Sequence, residues 1–193
     1  MLRISIGSLI LSNLIPLIGV LFFGWSVSTI LILYWSENVI IGFYNIIKMA
    51  LAKGEVRSKQ TYERLFLIGF FIVHFGIFTF GHAAFVFSFF GTDNPSFQSL
   101  LPALLPLFIS HGVSMFMHFI KNKEYKRVSF DKLFFQPYKR VVIMHLTIVF
   151  GAWIATAFNL PSLVLVVLIL LKISVDIFFH KKEHTRFSEE LNK

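Results

Sequence analysis

The sequence predicts an all-α fold: a polytopic membrane protein built as a bundle of six transmembrane helices, with both termini in the cytoplasm. Three observations carry this expectation. Apolar residues fill 56% of the 193 positions and charged residues only 15%, with a mean hydropathy of +0.75, far from the balance of a water-soluble domain. The apolar residues gather into six runs, each near the ~20 residues a helix needs to cross the hydrocarbon core. Basic residues then occupy alternate connections between the runs.

The first run, residues 4–23, follows Arg3 and imitates the apolar core of a signal peptide. It lacks a small-residue cleavage site and passes almost directly into the second run through Gly24, Trp25 and Ser26, so it is read as a helix. The second run, residues 25–49, closes on Lys48 and Lys53, and the third, residues 65–90, opens after Arg57, Lys59 and Arg64. Residues 91–95 form a polar turn without basic side chains. The fourth run, residues 100–120, contains Pro102 and Pro106 and ends at Lys121 and Lys123; the fifth, residues 141–158, begins after Lys139 and Arg140. Asn159, Leu160 and Pro161 turn the chain into the sixth, residues 160–179, which is closed by Lys181 and Lys182. Since every basic connection falls on one side, the positive-inside rule puts both termini in the cytoplasm. Residues 1–180 are thus expected to form one transmembrane domain, and residues 181–193 a charged cytoplasmic tail. Residues 128–138, where Phe130, Leu133, Phe134 and Phe135 alternate with Asp131 and Lys132, read as a short segment lying in the membrane interface.

The same topology accounts for the net charge of +8, which therefore points to anionic lipids of the cytoplasmic leaflet as partners and not to nucleic acid. With no cysteine, disulfides, thiolate nucleophiles and iron–sulfur clusters are excluded. The sequence holds no phosphate-binding glycine loop, no HExxH and no GxSxG. Protein partners are not indicated.

Ionisable residues inside apolar spans are costly and mark functional sites by default. Counting inward from the first basic residue of each span, Glu37 is 11 residues from Lys48, His74 is 10 from Arg64 and His111 is 10 from Lys121. At 1.5 Å per residue all three fall about 15 to 17 Å deep, near the midplane of a core about 30 Å thick. Asn38 shares that level, and Lys172 on the sixth span is a candidate counter-ion for Glu37. A second layer nearer the cytoplasm holds Asn45, His118, His145 and Asp176. His111, Ser114 and His118 share nearly one helical face, as do Asn38 and Asn45, so two helices offer polar stripes from midplane to cytosol. Gly69, Gly76 and Ala83 form a small-residue stripe suited to close helix packing, and His82 belongs near the outer surface.

Three readings compete for these layers. Ser, Asn, His and Glu can simply hydrogen-bond between helices to fix packing. Alternatively Glu37, His74 and His111 ligate a divalent metal such as zinc, leaving an open position for a water that supports intramembrane hydrolysis, with Asn38 and Ser114 orienting groups behind them. A single haem held by His74 with His111, or by His118 with His145, ranks below a simple metal, since layers about 10 Å apart leave little room for two. In the third reading Glu37, His74, His111, His118, His145 and Asp176 relay protons or ions in a transporter or channel.

Several motifs in order carry a resemblance. Tyr34-Trp35-Ser36-Glu37-Asn38 with Gly42 and Asn45, His74-Phe75-Gly76 with His82, Ser110-His111-Gly112-Val113-Ser114, and Pro137-Tyr138 with Arg140 and His145-Leu146-Thr147 together resemble an uncharacterised family of prokaryotic six-helix integral membrane proteins, catalogued as a domain of unknown function. The resemblance runs from the second span through the fifth and implies that these polar motifs are family features; it implies no activity. Similarity to intramembrane zinc hydrolases of the ceramidase and receptor-like type is general only. Their HxxxH is matched by His180 and His184 at the cytoplasmic end, so their zinc ligands are not carried over.

Overall fold

The computed structural model describes residues 18–19, 22–54, 61–90, 97–158 and 170. Most of the first expected span, all of the sixth except Leu170, and the tail lie outside the described residues, and with them Lys172, Asp176, His180 and His184. The described chain is helical, with no strand. It comprises α1 (Val27–Leu51), α2 (Thr61–Phe90), α3 (Phe97–Ser114) continuing as a π-helical stretch (Met115–Lys121), a short 3-10 turn (Glu124–Lys126), and α4 (Phe130–Phe158). Among the described residues three helical stretches are long and apolar enough to cross a membrane: Ser28–Leu51, Thr61–Ser88 and Gln98–Lys121.

Helix α1 is the centre of the bundle and packs on α2, α3 and α4. Its start is set by Ser26, whose hydroxyl accepts the Thr29 N–H at 3.3 Å, satisfying one of the amides that a helix N-terminus leaves without an internal partner. Its end is held from α2: the Arg64 guanidinium donates to the carbonyls of Met49 and Ala52, both at 2.8 Å, placing a cation where the helix dipole is negative. Two apolar clusters sit at opposite ends of the bundle. One joins Leu31, Ile32 and Leu33 of α1 to Val86 and Leu100; the other, at the end rich in basic residues, joins Met49 to Phe71, Phe75, Phe119, Phe130, Leu133 and Val141. By contrast, Val73, Ile77 and Phe80 of α2 are 63%, 65% and 75% exposed. An apolar surface of that extent calls for an apolar surrounding.

Close approaches fall at other glycines than the sequence pattern suggests. Among the described residues nothing lies within 4 Å of where a Cβ would stand at Gly69 or Gly76, so at these two glycines the expected small-residue stripe makes no close approach to them. A ring edge of Phe75 instead rests on Gly42, a Cβ there meeting Cε1 at 2.5 Å, and Gly54 lies against the backbone carbonyl of Val128. Gly54 belongs to a junction between the α1–α2 and α3–α4 connections, where the Lys53 N–H also donates to the Tyr125 carbonyl at 2.7 Å. Backbone cannot yield as a side-chain tip can, so Gly54→Ala is expected to destabilise the protein by about 1–3 kcal/mol, the usual cost of overpacking. Thermal unfolding in detergent would check this, and an unchanged midpoint would refute it.

Helix α4 corrects the sequence reading. Residues 128–138 are not a separate interfacial segment, for one helix runs unbroken from Phe130 to Phe158. Phe130, Leu133, Pro137 and Val141, spaced at helical intervals, are all buried and dock this first part of α4 onto the basic-end cluster. Pro137 has no N–H to give the carbonyl four residues back, that of Leu133. The Asn45 side-chain amide of α1 donates to it at 2.9 Å, filling the gap in the helical ladder.

The end of α3 brings a second correction. Over Met115–Lys121 the turns widen from α to π, which buries Phe119 in the core beneath the Lys48 ammonium, 5.8 Å from its ring centroid. The expected stripe is not kept: His111 is half-buried, whereas Ser114 and, beyond the start of the wider turn, His118 are exposed.

Candidate functional site

The site follows from where α4 begins. Lys139 and Arg140 head the fifth apolar run, so the sequence pattern takes Arg140 for a marker of the membrane edge. In the fold the helix that carries Arg140 already begins at Phe130, whose ring lies 5.7 Å from the Arg64 guanidinium of α2. Arg140 is therefore 10 residues inside α4, about 15 Å along the helix, at the level counted for Glu37, His74 and His111.

There it meets Glu37. The Oε1 atom of Glu37 lies 3.5 Å from Nη1 of Arg140 and 3.8 Å from Nε2 of His111. A carboxylate of α1 is thus flanked by a guanidinium of α4 and an imidazole of α3. The Glu37 side chain is 19% exposed, His111 27% and Arg140 46%, so the carboxylate is the most enclosed member. A carboxylate so shielded from water needs a cation or a proton. Arg140 provides a cation; Lys172, the counter-ion that the sequence pattern puts forward, lies outside the described residues.

His74 shares the depth of Glu37 but has other partners. Its Nδ1 is 2.9 Å from the Tyr138 hydroxyl, which donates when the imidazole proton is on Nε2. Phe70 stacks on the ring and Phe78 meets it edge-on, each with centroids 5.1 Å away. The expected triad of Glu37, His74 and His111 is therefore not gathered at one point. Among the described residues no group of three His, Cys, Asp or Glu is placed to hold a metal ion.

The second layer is also rearranged. His145 does not sit with His118 near the basic end. Its Nδ1 is 3.1 Å from Nε2 of His82 on α2, one imidazole donating to the other. The reason is again the start of α4, which moves His145 to 15 residues from Phe130, about 22 Å along the helix, toward the level of His82. Asn45 serves the Leu133 carbonyl, and Asn38 is buried with its amide donating to the Tyr34 carbonyl of its own helix at 3.2 Å. Further polar contacts tie the helices together: Trp35 Nε1 donates to the Thr79 carbonyl at 2.8 Å, and the Tyr44 hydroxyl to that of Phe108 at 3.0 Å. For Asn45, Trp35 and Tyr44 packing is a sufficient account.

Arg140, Tyr138 and the His82–His145 pair are the participants that counting from basic residues passes over. Their signal lies in the buried positions Phe130, Leu133, Pro137 and Val141, a helical stripe that continues into the run 141–158 and shows the two segments to be one helix.

Fold and site together define an all-helical protein with membrane-length apolar helices and a charged centre held between three of its helices. The chain belongs to a family of unknown function, DUF6498, which matches it over residues 1–192. No curated protein and no solved structure is significantly similar to it.

Proposed function

We propose that this chain is a multi-pass cell-membrane protein of six spans, with both termini in the cytoplasm, and that Glu37 with His111 and Arg140 forms its proton-binding centre, coupled to the passage of an ion or small solute. The observation that carries this reading is the enclosure of Glu37 between an imidazole and a guanidinium in the middle of a membrane-length helix. A guanidinium keeps its charge while carboxylate and imidazole exchange protons, so the centre has two electrostatic states: Glu37 charged and drawn to Arg140, or protonated and released from it. Pro137 lies three residues before Arg140, where α4 lacks an internal hydrogen bond. Bending there would move Arg140 relative to Glu37 and turn protonation into a change of helix position.

The alternation of basic connections supports the topology, and the exposed apolar flank of α2 agrees with a lipid surrounding. The test is proton flux in proteoliposomes carrying a pH-sensitive dye inside. Wild-type protein is expected to dissipate an imposed pH gradient, and Glu37→Gln to reduce the protein-dependent rate at least tenfold. Equal rates in the two would sink the proposal. So would stoichiometric zinc in the purified protein that disappears with His111→Ala, because that outcome returns the site to metal chemistry.

A further inference from the structure

The contact between His82 and His145 takes no part in the Glu37 centre. Nε2 of His82 on α2 is 3.1 Å from Nδ1 of His145 on α4, and the ring planes meet at 53° with centroids 5.3 Å apart. The rings therefore meet through an N–H and a lone pair and are not stacked. The pair is asymmetric, since His82 is 7% exposed whereas His145 is exposed. It also joins unlike nitrogens. Nε2 of His145 and Nδ1 of His82 stay outside the contact, and among the described residues neither makes another hydrogen bond. Serine, asparagine or glutamine would tie two helices together equally well. Imidazoles in tandem add a nitrogen on each side that takes up or gives away a proton near neutrality.

We propose that the His82–His145 pair is a second proton-binding station, which carries protons between the Glu37 centre and the surface opposite the basic end. Its place along the helices supports this. His145 is five residues beyond Arg140 on α4, about 7 to 8 Å further from the basic end, and His82 is eight residues short of the end of α2, about 12 Å. The pair thus stands between the centre and that surface. A proton arriving at Nε2 of His145 makes the exposed ring an imidazolium. Its Nδ1 proton then crosses to Nε2 of the buried ring, and His82 gives up the proton on its Nδ1. One proton enters and one leaves, and both rings are neutral again.

This role rests on the proton-binding centre proposed above. Full-length protein, isotope-labelled at its histidine nitrogens, is reconstituted in liposomes for solid-state NMR, and proton flux is followed in the same liposomes with an enclosed pH-sensitive dye. A nitrogen–nitrogen coupling across the hydrogen bond is expected in wild type, and its absence would overturn the pair. This coupling is read in wild-type protein, so it tests the pair even where a variant fails to fold. His82→Gln and His145→Gln keep a hydrogen-bonding side chain between the helices, but an amide takes up no proton. Each is expected to slow flux on the order of tenfold while the thermal unfolding midpoint in detergent stays that of wild type. Undiminished flux in both glutamine variants, with flux lost in Glu37→Gln, would overturn the station and leave the centre standing. Wild-type protein without flux of its own would overturn both.

Discussion

Arg140→Leu is expected to destabilise the bundle by about 2 kcal/mol, measured by thermal or chemical unfolding in detergent micelles. That figure lies between the ~1 kcal/mol ceiling of exposed ion pairs and the ~3–5 kcal/mol cost of stripping one partner from a buried pair. The position between these limits follows from the geometry. Glu37 is largely enclosed, but Arg140 is about half-exposed and the contact is a single 3.5 Å approach, longer than a charge-assisted hydrogen bond of about 2.7–2.9 Å. The loss arises mainly from the carboxylate left behind. Glu37→Gln combined with Arg140→Leu should therefore recover roughly 1 kcal/mol of it. The penalty of Arg140→Leu alone should also shrink on acidification, since a protonated carboxyl needs no cation. Strict additivity in the double variant would show that Glu37 and Arg140 do not act as a pair.

The second large effect concerns Asn45. Asn45→Leu removes the side-chain amide that reaches the Leu133 carbonyl, which Pro137 cannot serve. A buried carbonyl left without a donor costs about 1–3 kcal/mol. The discriminating measurement is the cycle with Pro137→Ala. Alanine restores an N–H at position 137 and lets Leu133 close its own helical bond, so Asn45→Leu should then cost less than half as much. If the cost is the same in both backgrounds, the Asn45 contact is incidental to the hydrogen bond that α4 lacks at Pro137. This matters for function as well, because Pro137 lies within one turn of Arg140 and is the hinge invoked for coupling. Pro137→Ala is accordingly expected to slow proton flux while leaving stability near or above that of wild type.

Much of this protein is settled by its sequence alone. The apolar runs, their lengths and the placement of basic residues decide that it is helical and suited to a membrane, because hydrocarbon tolerates backbone only when its polar groups are satisfied within the helix. They also single out Glu37, His74 and His111 at one depth, since depth along a helix is a matter of counting. Counting cannot say which way side chains turn or which ones meet. Tertiary structure decided that Glu37 and His111 come together while His74 turns to Tyr138. It decided also that His145 joins His82 and that Arg140 lies beside Glu37. The last two outcomes trace to one fact hidden from a hydropathy pattern: α4 begins at Phe130, so charged residues that look like the edge of an apolar run lie within a helix. A charge marks the membrane surface only when nothing buried pairs with it, and whether a partner is present is decided by packing.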